Sequence, residues 1–194
     1  MKKLSALLII LIAFNLCNGS SYKHSSTLSN YISEILTSSF AVLNDQSLKR
    51  DEKVKILKNK MLDNLDVNWM SNFVLGRWAR TLSLEQKDKF NKVYANYITS
   101  FYASGVKLYS GQDVRVADIV EEGDIFLVKT FVLKKGGENS ISVNYVIKMK
   151  EEGFKILDVI TDNVSLISSQ RSEFNTVIFQ KGFDNLIKDL RSKT

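Results

Sequence analysis

The spacing of apolar residues changes twice along this chain of 194 residues, and that change constrains the fold more than any other feature. Up to about residue 102 the apolar side chains recur every three or four residues, as on one face of a helix. From about residue 112 they alternate with polar ones, and after about residue 174 the helical spacing returns. The order of helices, strands and helices predicts the α+β class.

Three segments before the strands carry the helical spacing. We predict amphipathic helices over residues 27–43 and 48–65, and a third helix that begins after Ser83. Ser83 and Gln86 have the spacing of a capping box, in which each side chain bonds the backbone amide of the other residue. The third helix presents a wide, largely aromatic stripe, which is formed by Phe90, Val93, Tyr94, Tyr97, Ile98, Phe101 and Tyr102.

Turn signals divide the middle of the chain into strands. They lie at residues 121–124, 134–139 and 151–153, and each contains at least one Gly. Three hairpins then join four strands, or slightly more, into an antiparallel meander with one apolar face. Two further helices follow, with a break at Gly182. We expect the helices to lie across the apolar face of the sheet, with a hydrophobic pocket between the two layers.

The N-terminus has the pattern of a secretory signal peptide. Lys2 and Lys3 precede an apolar run over residues 4–16, which is shorter than the roughly 20 residues that cross a bilayer as a helix. Small residues at Cys17 and Gly19 predict cleavage after residue 19 and a single domain over residues 20–194. A retained membrane anchor is the alternative. A lipoprotein is disfavoured because Leu16, which is not small, precedes the cysteine.

The residue inventory excludes much chemistry. With only one Cys and one His, the chain lacks the several Cys or His ligands of a zinc cluster and the paired thiols of a disulfide scaffold. Phosphate-binding, nucleophile-elbow and metalloprotease motifs are absent, and the carboxylate pairs lie in turns. We therefore predict no catalytic residues, no bound metal and no cofactor.

The chain is basic, with 27 Lys and Arg against 21 Asp and Glu. For an exported protein this charge favours anionic membrane surfaces over nucleic acid as the partner. The helix over residues 48–65 carries many of the lysines, but Asp51 and Glu52 lie within the same run. We interpret its charges as a solvated face, and a membrane-docking face is the alternative.

Two separate stretches resemble the signatures of the MlaC and toluene-tolerance family. The run Phe73–Thr81, followed by Ser83–Gln86 and Phe90, is similar to the first signature of the family. The second signature resembles the segment from Asp158 to Ile187, which includes the run Val164–Ile167. Departures occur at Asn163, where the family usually has Gly, and at Ser169 and Gln170, where it usually has Asn and Tyr.

The resemblance implies a periplasmic phospholipid carrier. Such carriers move glycerophospholipids between the outer and inner membranes, as part of a pathway that maintains outer-membrane lipid asymmetry. Their partners are an inner-membrane ABC transporter with an MCE-domain subunit and an outer-membrane complex of a lipoprotein and a porin. We expect a monomer that binds no nucleic acid and holds phospholipid as its cargo.

For such a carrier we predict that the acyl chains lie between the aromatic helix stripe and the apolar sheet face, with the head group at the rim. The candidate lining residues are Phe73, Trp78, Tyr94, Tyr97, Phe101, Phe126, Val128, Tyr145, Ile147 and Val159. Two other functions stay open. One is an interaction protein with a filled interior, and the other is a small enzyme that acts on a lipid or aromatic compound through a carboxylate such as Asp158.

Overall fold

The computed structural model describes residues 18–103, 113–133 and 140–194. The turn predicted at residues 134–139 and residues 1–17 of the predicted signal peptide lie outside these ranges. The chain divides into two compact units, with the boundary between Thr37 and Ser38.

In the sequence, helices come before and after the strands, as predicted. Before the sheet come α1 (Asn18–Asn44), α2 (Arg50–Asn64), α3 (Val67–Leu75), the 3-10 helix η1 (Gly76–Arg80) and α4 (Leu84–Ala103). After the sheet come α5 (Leu166–Lys181) and α6 (Phe183–Ser192). Helix α1 begins earlier than the predicted residue 27, and the segment of α3 and η1 was not predicted to be helical. None of the helices within the described ranges has the length and apolar character needed to span a membrane.

The capping box predicted at the start of α4 is present. The Ser83 amide donates to Gln86 Oε1 at 2.9 Å, and the Gln86 amide donates to Ser83 Oγ at 3.2 Å. At the other end of the chain, Gly182 separates α5 from α6 at a φ of 86°. Both local predictions are therefore confirmed.

The sheet is an antiparallel meander in which neighbours in sequence are neighbours in space. Its strands are β1 (Asp113–Glu122), β2 (Ile125–Leu133), β3 (Ser140–Lys150), β4 (Gly153–Thr161) and the two-residue β5 (Val164–Ser165). The α+β class and the meander are confirmed. The fifth strand extends the four predicted ones, and the turn of Asp162 and Asn163 joins it to β4.

Strand β4 anchors the helices to the sheet. Helices α2, α3 and α5 each contact it. At the junction of α2 and α3 the Asp66 amide donates to the Ile156 carbonyl at 3.0 Å, while Asp66 Oδ1 accepts from the Trp69 amide at 3.0 Å and caps α3. Asp66 Oδ2 forms an ion pair with Lys150 of β3. One buried carboxylate therefore fixes the start of α3 against the β3–β4 hairpin.

Candidate functional site

Five of the predicted lining residues lie on one face of the sheet. The register pairs Phe126 with Ile147, and it places Val128, Tyr145 and Val159 side by side on β2, β3 and β4. Phe126, Val128 and Ile147 are fully buried, whereas Tyr145 and Val159 are half-buried. Because cross-strand neighbours share a face, these side chains form one continuous apolar surface.

Tyr145 has two properties expected of a residue that lines a lipid-binding site. Burial raises the pKa of its phenol above the ordinary value, so the ring lies in a desolvated environment. The residue as a whole is nevertheless only half-buried. Val143, the next residue on the same face, is half-buried in the same way. Val143 was not among the predicted lining residues, although the alternation of β3 places it in line with them.

The aromatic stripe of α4 packs in part against the C-terminal helices. Phe174 of α5 stands edge-on to Tyr94 at 6.2 Å and to Tyr97 at 5.9 Å between ring centroids. Phe90 of the same stripe lies 6.4 Å from Phe183 of α6. Edge-to-face rings at these separations attract one another. Phe174 therefore occupies part of the surface that Tyr94 and Tyr97 offer.

A buried hydrogen bond fixes Tyr94 in place. Its hydroxyl donates to Gln170 Oε1 at 2.7 Å, and both side chains are buried. The pKa of Tyr94 is raised far above its ordinary value, first by burial and then by the nearby Tyr97 and Asp158. The phenol therefore stays protonated and keeps donating. Gln170 stands where the family signature usually has Tyr, so this departure places a polar acceptor inside the helical layer.

Phe73 and Trp78 lie on the seam between α3, η1 and α5. Phe73 stacks on Trp69 at 5.2 Å and holds the Arg171 guanidinium 4.8 Å from its ring centre. Trp78 has the Arg77 guanidinium at 4.9 Å. Within the described ranges, no ring contact joins Phe73 or Trp78 to the five sheet residues.

Phe101 lies in the last turn of α4, where 48% of its surface is exposed. The structure thus groups the ten predicted residues as five on the sheet face, Tyr94 and Tyr97 on α4 against α5, two on the α3 and η1 seam, and Phe101 near the end of α4.

Asp158, the carboxylate considered for an enzymatic role, is bonded through both oxygens. Oδ2 accepts from the Ser165 hydroxyl at 2.6 Å, and Oδ1 accepts from the Ile167 amide at 3.2 Å. Ser165 Oγ in turn accepts from the Ser168 amide at 3.1 Å and caps α5. The buried carboxylate therefore holds the first turn of α5 to β4.

Two cavities lie elsewhere and have a different character. One of about 550 Å³ opens between α2, α3, α4 and the β3–β4 hairpin, and the other, of about 560 Å³, lies along residues 148–152. None of the ten predicted residues lines either cavity. The first is a polar groove unsuited to acyl chains, because its charged lining residues are Asp66, Asp88, Lys92, Lys150, Glu152 and Lys155.

Comparison with known proteins gives a consistent result. The family model described as MlaC protein matches residues 33–192. A curated relative from Haemophilus influenzae, the intermembrane phospholipid transport system binding protein MlaC, is 23% identical over 154 residues, which are 76% of this chain and 72% of that protein. A solved structure of a phospholipid-binding protein from Ralstonia solanacearum, in complex with a phospholipid, is similar at a TM-score of 0.71. The match covers 87% of this chain and 94% of the Ralstonia chain at 19% identity, so it shows the shared fold.

Proposed function

The chain belongs to the MlaC protein family, whose model spans residues 33–192, and on that premise we propose that it carries glycerophospholipids between the outer and inner membranes. The Haemophilus relative is a binding protein of intermembrane phospholipid transport, and the Ralstonia structure contains a phospholipid. Both support a phospholipid as the cargo of this chain.

The sheet face is the observation that carries the proposal. Val143, Tyr145 and Val159 keep accessible surface on a face where Phe126, Val128 and Ile147 are fully buried. Hydrocarbon laid on this face would cover the side chains of Val143 and Val159 and the ring of Tyr145, so it would desolvate few polar groups. Acyl chains fit this requirement because they offer no hydrogen-bonding groups, so the site would tolerate varied head groups at its rim.

The energetics of transfer explain why such a carrier is needed. A diacyl lipid has about 30 methylenes, and at roughly 0.8 kcal/mol each its release into water costs on the order of 20 kcal/mol. Bare lipid would therefore cross an aqueous compartment too slowly. A carrier has to match the bilayer in affinity, because a far more favourable pocket would never release its cargo.

The wider setting of the proposal follows the family. The protein works in the periplasm after loss of residues 1–19, and it exchanges lipid with an inner-membrane ABC transporter that has an MCE-domain subunit and with an outer-membrane complex of lipoprotein and porin. It acts by binding rather than by catalysis. The two hydrogen bonds to Asp158 support this, since they assign the carboxylate a structural role.

Mass spectrometry of the purified chain tests the cargo directly. We expect denaturation to release phospholipid in a stoichiometric amount. A chain purified from secreting cells that releases no phospholipid would contradict the proposal.

Tyr145→Glu tests the sheet face as the wall of the site. A carboxylate on this face would have to be desolvated beside acyl chains, so we expect the variant to lose at least about tenfold of its bound phospholipid. Asn144→Glu is the matched control, because Asn144 is the preceding residue of β3, projects from the opposite face and has Lys129 as its cross-strand neighbour. The measurement is phospholipid per protein, with circular dichroism to confirm folding.

Val159→Trp provides a second test if the charged variant does not fold. The larger ring would fill space on the same face without adding a charge, and Ile160→Trp is its counterpart on the other face. If Val159→Trp folds and retains as much lipid as Ile160→Trp, this sheet face does not line the lipid-binding site.

A further inference from the structure

Arginine and aromatic side chains alternate along the seam of α3, η1 and α5. We call the set of Trp69, Phe73, Arg77, Trp78, Arg171 and Phe179 the arginine–aromatic strip. Trp69 stacks on Phe73, and Phe73 holds the Arg171 guanidinium at 4.8 Å. Farther along, the Arg77 guanidinium lies 4.9 Å from the Trp78 ring and 5.7 Å from the Phe179 ring. The contacts at both ends therefore belong to one type.

The strip runs along one side of α5. Arg171, Asn175 and Phe179 are four residues apart, so they lie one above another, over roughly 12 Å of the helix. Asn175, in the middle, donates from Nδ2 to the Val74 carbonyl at 3.0 Å and joins α5 to α3. The hydrogen bond between the two ends of the strip thus joins the two helices that carry it.

The strip has both exposed apolar surface and uncompensated charge. Phe179 is 72% exposed and Trp69 is 38% exposed. Within the described ranges, no carboxylate forms an ion pair with Arg77 or Arg171. A guanidinium that stacks on a ring uses its face, so the donors in its plane remain available to phosphate oxygens.

We propose that the arginine–aromatic strip docks the protein on the surface of an anionic phospholipid bilayer. Aromatic rings settle at the boundary between head groups and acyl chains, and arginines pair with the phosphates at the same depth. Charge complementarity thus selects an anionic surface, and the exposed rings select one with an apolar layer beneath it. This inference concerns an outer surface and does not depend on whether the interior holds lipid.

The strip suits this role better than the lysine-rich helix α2. In α2 the acidic residues Asp51 and Glu52 lie among the lysines, and Lys53 Nζ donates to the Leu43 carbonyl at 2.7 Å. The strip pairs its cations with exposed rings instead. It also favours a bilayer over an acidic protein, because a bilayer offers both phosphates for the arginines and an apolar layer for the exposed rings.

Vesicle binding by two matched double variants tests the proposal. Arg77→Gln/Phe179→Ser removes one cation and one exposed ring from the strip. The control, Lys55→Gln/Phe131→Ser, removes one cation from α2 and one exposed ring from β2. Lys55 is exposed, and Phe131 is 42% exposed. The probes are vesicles of phosphatidylglycerol with phosphatidylethanolamine, and vesicles of phosphatidylcholine. All proteins are compared without residues 1–19, because their apolar run would itself bind vesicles.

We expect the strip variant to bind the anionic vesicles at least about tenfold more weakly than the unchanged chain, and the control variant to stay within about twofold. Equal binding by the two variants would overturn the proposal. So would equal binding of the unchanged chain to anionic and phosphatidylcholine vesicles. An acidic protein partner whose binding depends on the strip, in the absence of strip-dependent vesicle binding, would replace the bilayer as its occupant.

Phospholipid content, measured on the same proteins, separates this proposal from the carrier function. We expect the strip variant to retain its bound lipid while it loses vesicle affinity. If all the proteins lack bound lipid but show strip-dependent vesicle binding, the carrier function fails and the docking surface stands.

Discussion

At the residue scale, backbone conformation explains the residue type at two positions of the family signatures, Asn163 and Gly76. Asn163 has a φ of 63°, and Asp162 before it has a φ of 48°, so the β4–β5 turn needs two residues in the left-handed region. Glycine, usual in the family, adopts that region freely, and Asn and Asp are the residues that tolerate it best after glycine. The departure from glycine at Asn163 therefore keeps the turn.

Gly76 is constrained by its backbone and by a neighbour. Its φ is 57°, and a Cβ there would lie 3.2 Å from Arg171 Nε. The guanidinium of Arg171 packs between this glycine and the Phe73 ring. The small residue at the end of α3 thus makes room for one arginine of the strip.

Gly76→Ala should therefore cost stability chiefly through backbone strain, because a φ of 57° with a ψ of −123° is a conformation that only glycine adopts readily. We expect it to lower the free energy of unfolding by about 2–3 kcal/mol. The control is Gly123→Ala, since Gly123 has a φ of 65° but nothing within 4 Å of the added Cβ, and we expect a cost of about 1 kcal/mol. Urea unfolding measures both, and a cost at Gly76 no larger than the cost at Gly123 would contradict the strained backbone of Gly76.

At the scale of the elements, hydrogen bonds between distant segments set how helices meet strands. Asp66 joins α3 to β4, Asp158 joins β4 to the start of α5, and Tyr94 joins α4 to Gln170 of α5. Each link has a buried member whose removal would leave a partner unsatisfied. The helical layer is therefore positioned by polar links as well as by apolar packing.

Asp158→Asn tests the link between β4 and α5. The amide can replace only part of the carboxylate's acceptor capacity, so we expect the free energy of unfolding to fall by about 2 kcal/mol. Asp184→Asn is the control, because Asp184 forms an exposed ion pair with Lys89 at 3.1 Å, which contributes less than about 1 kcal/mol. Chemical denaturation of both variants gives the comparison, and a loss at Asp158 no greater than at Asp184 would contradict the structural role.

At the scale of the whole molecule, buried phenols make stability depend on alkaline pH. The pKa values of Tyr94 and Tyr145 are raised in the folded chain, chiefly by burial. The unfolded chain releases these protons near pH 10, while the folded chain still holds them. The stabilisation is therefore complete below about pH 10 and is lost as the pH rises toward the folded-state pKa values.

We expect the free energy of unfolding to fall above about pH 10 by about 1.4 kcal/mol per pH unit for each such tyrosine. Tyr145→Phe keeps the ring and removes one titrating hydroxyl, so its stability should decline less steeply. Denaturant unfolding at a series of pH values measures the slopes. A Tyr145→Phe slope equal to that of the unchanged chain would contradict the burial of this phenol.

The local pattern of residues was enough to predict the order of elements, the meander, the capping box at Ser83 and the break at Gly182. Each of these depends on neighbours within a few positions, through periodicity, turn chemistry or a cap. Helix α3 was not predicted, although Asp66 caps it. It has only nine residues and η1 follows it directly, so few apolar residues repeat at helical spacing.

The amino-acid sequence by itself determined the order of helices and strands and which side chains of each are apolar. Only the tertiary structure decided what each ring meets, with Phe174 against Tyr94 and Tyr97, and Arg171 against Phe73. The physical reason is that hydrophobic burial has no direction, so an aromatic stripe has the same pattern whether a side chain or an acyl chain covers it. The identity of the covering group depends on residues far away in the chain, which meet the stripe only when the chain folds.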